Sequence, residues 1–135
     1  MKNVLFVCVE NSCRSQMAEA FGRMLGDGVI NACSSGSNPS GVVNPKAIAA
    51  MREIGYDLSA HDSKSLDDIP DIEYDVVVTM GCGDKCPYVR AKKRIDWAIP
   101  DPKRMAPDEF REVRELIRSN VEDLITQCRK NVRTA

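Results

Sequence analysis

The chain has 135 residues, with 43% hydrophobic and 29% charged content, the balance of one soluble globular domain spanning 1–135. Lys and Arg number 19 against 20 Asp and Glu, a formal net charge of −1 that excludes a general attraction to nucleic acid or an anionic membrane. No apolar run is long enough to cross a bilayer, and the N-terminal stretch ending at Val9 is too short for a signal-peptide core, so a cytoplasmic protein is expected.

Residues 3–9 are apolar and partly β-branched, the pattern of a strand buried on both faces. The period then turns helical. Met17, Ala18, Phe21, Met24 and Leu25 share one side, Glu19 and Arg23 the other, and the spacing predicts a helix from about Arg14 to Gly26. Val29 to Ser34 is a weaker strand, followed by a Ser, Gly, Asn and Pro-rich loop. Asn44 as N-cap and Pro45 as first helical residue open a second helix, with Ala47, Ile48, Met51 and Ile54 as its apolar stripe up to Gly55. Asp57 to Asp75 is acidic and reads as an exposed connection holding a short helix. Val76 to Met80 is a third buried strand, cut off by Gly81-Cys82-Gly83. Lys93 to Ile99 forms a fourth, with Ile95 and Trp97 on one face. From Pro107 a long helix carries Phe110, Val113, Ile117, Val121, Leu124, Ile125 and Cys128. Strands alternating with helices imply an α/β fold, a three-layer domain with a parallel sheet between helices.

Six cysteines are the compositional outlier: Cys8, Cys13, Cys33, Cys82, Cys86 and Cys128. Without an export signal they favour catalysis, redox exchange or metal binding over a disulfide framework. Cys33 and Cys128 fall on predicted buried faces and read as packing residues. The strongest local signal is Cys8-Val9-Glu10-Asn11-Ser12-Cys13-Arg14-Ser15, between a buried strand and a helix. Such a loop can aim consecutive backbone N–H groups inward, from Val9 through Arg14, and the helix N-terminus adds positive potential to this oxyanion cradle. Arg14 can hold two oxygens through its planar fork. The same field favours negative charge on the Cys8 sulfur, to which Ser15 can donate a hydrogen bond. Asp101-Pro102 follows the fourth strand at the same end of the sheet, which makes Asp101 the candidate general acid for a departing oxygen.

These segments resemble the low-molecular-weight protein tyrosine phosphatase superfamily, and within it the arsenate reductase branch, along nearly the whole chain. The resemblance runs through Val7 to Ala20, Asn44-Pro45-Lys46-Ala47-Ile48, Val78-Thr79-Met80, Cys86-Pro87, the Trp97 region and Asp101-Pro102. It implies a four-stranded parallel sheet flanked by helices and a thiol-based reduction of arsenate to arsenite. Cys8 would form the arsenic adduct, and Cys82 and Cys86, at a spacing that permits a bridge, would complete a Cys8/Cys82/Cys86 disulfide relay. No bound cofactor is implied. The partner is an external thiol donor, with thioredoxin favoured and glutaredoxin with glutathione or mycothiol as the other donors, and a monomer is expected. Phosphate and sulfate would compete with arsenate. Some members hold a monovalent cation at positions matched by Asn11, Glu19 and Ser34; Lys64 stands where an Asp would be, so no metal is expected here.

Two alternatives remain open. A phosphatase of the same superfamily needs only Cys8, Arg14 and Asp101, although Lys103-Arg104 replaces the aromatic residues that follow the Asp-Pro in phosphatases. A four-cysteine zinc module also fits the Cys8/Cys13 and Cys82/Cys86 spacings, but gives no role to Arg14, Ser15 or Asp101. Cys13 would contribute its backbone N–H, and a Cys8–Cys13 bridge would be an off-pathway form. His61 reads as structural or exposed, and the basic run from Lys85 to Arg94 as a solvated loop.

Overall fold

The computed structural model describes residues 1–81 and 89–134. Among these, four parallel strands, β1 (Lys2–Cys8), β2 (Ile30–Gly36), β3 (Tyr74–Thr79) and β4 (Ala91–Asp96), form one sheet in the order β2-β1-β3-β4. It is flanked by α1 (Arg14–Leu25), α2 (Pro45–Arg52) and α3 (Pro107–Thr134). The register pairs Cys8 with Gly36, Val7 with Thr79, and Thr79 with Asp96. The C-terminal ends of all four strands therefore share one edge.

Alternation along β1 divides the core. Val4 and Phe6, with Val76 and Val78 of β3, face Met17, Ala18 and Phe21 of α1 and Phe110, Ile117, Val121 and Leu124 of α3. Leu5, Val7 and Val77 face the other way, against Leu66, Ile69 and Val89. Both faces of β1 are buried because it is a central strand, which is why residues 3–9 lack an apolar–polar alternation. The acidic connection holds two single-turn 3-10 helices, Leu58–Ala60 and Leu66–Asp68, in place of one short helix. Asp57 and Ser65 cap them, which is the local alternative that Asp and Ser side chains offer to a longer helix.

Three boundaries differ from the sequence pattern. β4 occupies Ala91–Asp96 rather than 93–99. As an edge strand it exposes Lys92, Lys93 and Arg94, so its position is not marked by apolar residues. Trp97 continues the ladder by one bond, donating to the Thr79 carbonyl at 2.8 Å, and its ring packs on Phe6 at 5.9 Å. β2 runs on to Gly36, and α2 stops at Arg52. Cys128 is buried as expected, but Cys33 is only half-buried because β2 is the opposite edge of the sheet.

Candidate active site

Cys8 is the last residue of β1 and Arg14 the first of α1, so residues 9–13 must turn the chain within five positions. The turn needs a left-handed residue, and Asn11 supplies it with φ of 49°. It also needs a close neighbour without a side chain: a Cβ at Gly36 would stand 2.6 Å from the Val9 carbonyl oxygen. The loop's carbonyls are bound from outside. Ser37, Asn38, Ser40 and Asn44 donate backbone N–H groups to Cys8, Val9, Glu10 and Ser12, at 2.8–3.3 Å. The Gln16 amide donates to the Asn11 carbonyl at 3.1 Å. At the start of α1, Cys13 makes no side-chain cap. Carbonyls committed outward and an uncapped helix N-terminus are the conditions for an N–H cradle on the concave side.

The Cys8 sulfur lies 2.9 Å from Ser15 Oγ. Asn11 Nδ2 donates to that same oxygen at 2.8 Å, and to Ser34 Oγ at 3.0 Å. Ser34 in turn donates to Glu19 Oε1 at 2.8 Å. Ser15 Oγ thus accepts from Asn11 and keeps its hydrogen available for a thiolate at Cys8. The Asn11 carbonyl oxygen Oδ1 accepts from Lys64 N at 2.7 Å and Gln16 Nε2 at 2.9 Å, which uses the whole of this amide. Ser15, Asn11, Gln16, Glu19 and Ser34 are all essentially excluded from solvent.

Around buried Glu19 stand Arg23 at 3.0 Å, His61 at 3.1 Å and Lys64 at 3.7 Å. Gln16 Nε2 faces carbonyl oxygens of Asn11 and Asp62, so its Oε1 is the acceptor for His61 Nδ1 at 2.9 Å. His61 Nε2 then accepts from the Tyr56 hydroxyl at 2.6 Å. Burial pushes the His61 pKa below its ordinary value against the pull of Glu19, which agrees with a neutral ring carrying its proton on Nδ1. His61 is structural and buried, not exposed.

Arg14 is held by two backbone carbonyls across the sheet, Met80 at 2.7 Å and Ile99 at 3.1 Å. Its Nε is buried and has no partner among the described residues. Gly81 makes room for it: with φ of 77°, its Cβ would stand 2.8 Å from Arg14 Nη1. The Asp101 carboxylate, about half exposed, lies 3.9 Å from Arg14 Nη2. Cys8, Val9, Glu10, Ser12, Cys13, Arg14, Gly81, Ile99 and Asp101 line one cavity of about 480 Å³. No aromatic side chain lines it among the described residues. A cationic fork, a loop of backbone donors, a thiol at the floor and a carboxyl at the mouth can hold a tetrahedral oxyanion for attack by sulfur.

Burial pushes the Cys13 thiol up to about 11, with Ser12 as its hydrogen-bond neighbour, so Cys13 stays protonated near neutral pH. Cys33 and Cys128 are also raised by burial. Cys82 and Cys86, with Lys85 and Pro87, lie outside the described residues. Sequence spacing gave no sign of Lys103, whose ammonium pairs with Glu10 across 93 positions at 2.9 Å, or of the His61–Gln16 support.

The model of the low molecular weight phosphotyrosine protein phosphatase family matches residues 3–134. The chain is 42% identical over 130 residues to the glutaredoxin arsenate reductase of Synechocystis, covering 94% of this chain and 98% of that protein. It is 41% identical over 126 residues to an arsenate reductase of Staphylococcus aureus, covering 90% and 94%. The solved structure of an arsenate reductase in the phosphate binding state superposes with a TM-score of 0.86 at 42% identity, over 95% of this chain and 99% of that one. The chain belongs to the low molecular weight phosphotyrosine protein phosphatase family.

Proposed function

We propose that the protein reduces arsenate to arsenite with electrons from its own cysteines. The observation that carries this reading is a thiol within hydrogen-bond distance of Ser15, lining one cavity with Arg14 and Asp101, in a chain 42% identical to an arsenate reductase. Arsenate binds the loop N–H groups and Arg14. The Cys8 thiolate forms a sulfur–arsenic bond while Asp101 gives a proton to the departing oxygen, which leaves as water. Cys82 then attacks the Cys8 sulfur. The sulfur–arsenic bond breaks with its electron pair kept by arsenic, which leaves as arsenite, and a Cys8–Cys82 disulfide remains. Cys86 attacks Cys82, freeing Cys8 and forming Cys82–Cys86. An external thiol returns the two electrons.

The donor is the finer part of the reading. The family resemblance favours a thioredoxin-type dithiol, whereas the name of the Synechocystis relative favours glutaredoxin. Steady-state arsenate reduction with each system separates them, with mycothiol as a third arm. Cys8→Ser is expected to lose reduction with every donor; turnover by this variant would remove Cys8 from the mechanism. Cys82→Ser is expected to lose turnover yet keep slow hydrolysis of a small aryl phosphate, because phosphoryl transfer needs no relay. Cys86→Ser is expected to accumulate Cys8–Cys82 after arsenate. If both relay variants turn over at the parent rate, the relay is wrong. Aryl phosphate hydrolysis without arsenate reduction by any donor would make the protein a phosphatase.

A further inference from the structure

The proton-donor side of the cavity is a segment without regular secondary structure, between β4 and α3. Arg14 on the Ile99 carbonyl and Met105 N–H on the Pro102 carbonyl anchor its two ends, and three sets of contacts hold the part around Asp101. Lys103 N donates to Asp101 Oδ1 at 3.1 Å, fixing the carboxyl to its own loop. Lys46, at the start of α2, donates to the Lys103 and Met105 carbonyls at 3.2 and 3.4 Å. Lys103 Nζ then reaches across the cavity mouth to both oxygens of Glu10, at 2.9 and 3.1 Å. Glu10 belongs to the anion loop and lines the cavity with Asp101.

A carboxylate at the rim of an anion site opposes its ligand unless it is neutralised. Glu10 is such a group, and Lys103 is its one ion-pair partner among the described residues. Glu10 raises the Lys103 ammonium above its ordinary value. We propose that the Glu10–Lys103 pair is a latch with two effects on the reaction: it holds the Asp101 loop against the anion loop, and it cancels the rim charge that would otherwise repel a dianionic substrate. Lys103 is then a positioning residue for Asp101 and an electrostatic gate for the oxyanion. Neither role requires it to touch substrate.

The two effects separate by substitution. Lys103→Met opens the latch and leaves Glu10 uncompensated. Glu10→Gln opens the latch and removes the charge, while the loop N–H at position 10 is kept. The inference rests on the proposed reductase reading for its kcat arm alone. Its binding arm uses inorganic phosphate, read as protection of Cys8 from alkylation, and stands whatever the turnover chemistry is.

Lys103→Met is expected to weaken phosphate binding and raise the arsenate KM by about two- to fivefold, the size of a half-exposed ion pair. Its kcat should fall by about threefold or more, because a displaced general acid loses part of its contribution. Glu10→Gln should lower kcat similarly with phosphate affinity at or above the parent value. The double variant should match Glu10→Gln, and Lys103→Arg should restore both parameters. Parent-like kcat and phosphate affinity in Lys103→Met would overturn the latch. An equal loss of affinity in Glu10→Gln would overturn the charge gate, since a merely structural pair cannot distinguish the two variants.

Discussion

The two halves of the cavity are built differently. The Cys8 half is a buried polar network in which Asn11, Ser15, Gln16, Ser34 and Glu19 satisfy one another at 2.8–3.1 Å, almost without solvent. The Asp101 half carries buried Ile99, whose carbonyl accepts from Arg14, but beyond it rests on a half-exposed ion pair, the 3.9 Å approach of Asp101 to Arg14, one backbone-to-carboxylate bond, one backbone bond from Met105 to Pro102 and two lysine-to-carbonyl bonds. Buried networks fix geometry because breaking one bond strands several groups, whereas an exposed ion pair is weak and reforms readily. Cys8 is thus held by the fold itself, and Asp101 by contacts that are individually weak and solvent-accessible. Damage to the first half should show in stability as well as activity. Damage to the second should show in activity alone.

Asp101→Ala tests the second half and carries the largest expected effect. If its carboxyl protonates the departing oxygen, kcat for arsenate reduction should fall by about 10²- to 10⁴-fold, with the urea midpoint unchanged because the side chain is half exposed. Rapid turnover by the variant would remove Asp101 from the mechanism. A large shift in the midpoint would contradict the division between the halves.

Asn11→Ala tests the first. It strands Lys64 N, removes one acceptor of Gln16, frees the hydroxyls of Ser15 and Ser34, and puts a Cβ residue without a compensating amide at φ of 49°. Stranded buried partners cost about 1–3 kcal/mol each, so a loss of about 2–4 kcal/mol in urea unfolding is expected. Cys8 should also alkylate with weaker protection by phosphate. A variant as stable as the parent would mean that the network is not what holds the loop.

What the sequence disclosed follows the same division. β1 and α3 were legible because central burial makes residues 3–9 uniformly apolar and one-sided burial gives Phe110 to Cys128 a helical period. The bounds of β4 were not, since an edge strand of Lys92, Lys93 and Arg94 has no apolar signature. Cys8, Arg14 and Ser15 could be grouped because eight consecutive positions span strand end, loop and helix start. The partners of Asn11 lie at positions 34 and 64, and that of Glu10 at 103, separations for which a single sequence holds no spacing rule. In the sequence Gly81 marks the end of the third strand; the structure gives it the further task of admitting Arg14.

The smallest expected effect concerns pH and divides the molecule once more. His61 is buried and its pKa lies below the ordinary value of 6.5, with Glu19, Arg23, Lys64 and Asp62 around it. A depressed histidine pKa means that the unfolded chain binds the proton first. The stability it contributes is complete above about pH 6.5 and is lost as pH falls below that value, by at most about 1.4 kcal/mol per pH unit. Glu53 works in a separate, lower window. Arg111 and Arg114 hold its carboxyl down to about 2, so the α2–α3 cluster loses its contribution only as pH falls from 4.5 toward 2. Urea midpoints measured between about pH 8 and pH 5 therefore report the His61 side of the network and not the helix cluster. His61→Gln keeps an amide that can bond Gln16 and Tyr56 but cannot take up a proton, and should flatten the slope in that interval. A slope that persists in the variant would assign the titration to another group, and a parent that is flat between pH 6.5 and 5 would mean that His61 is not held neutral by its burial.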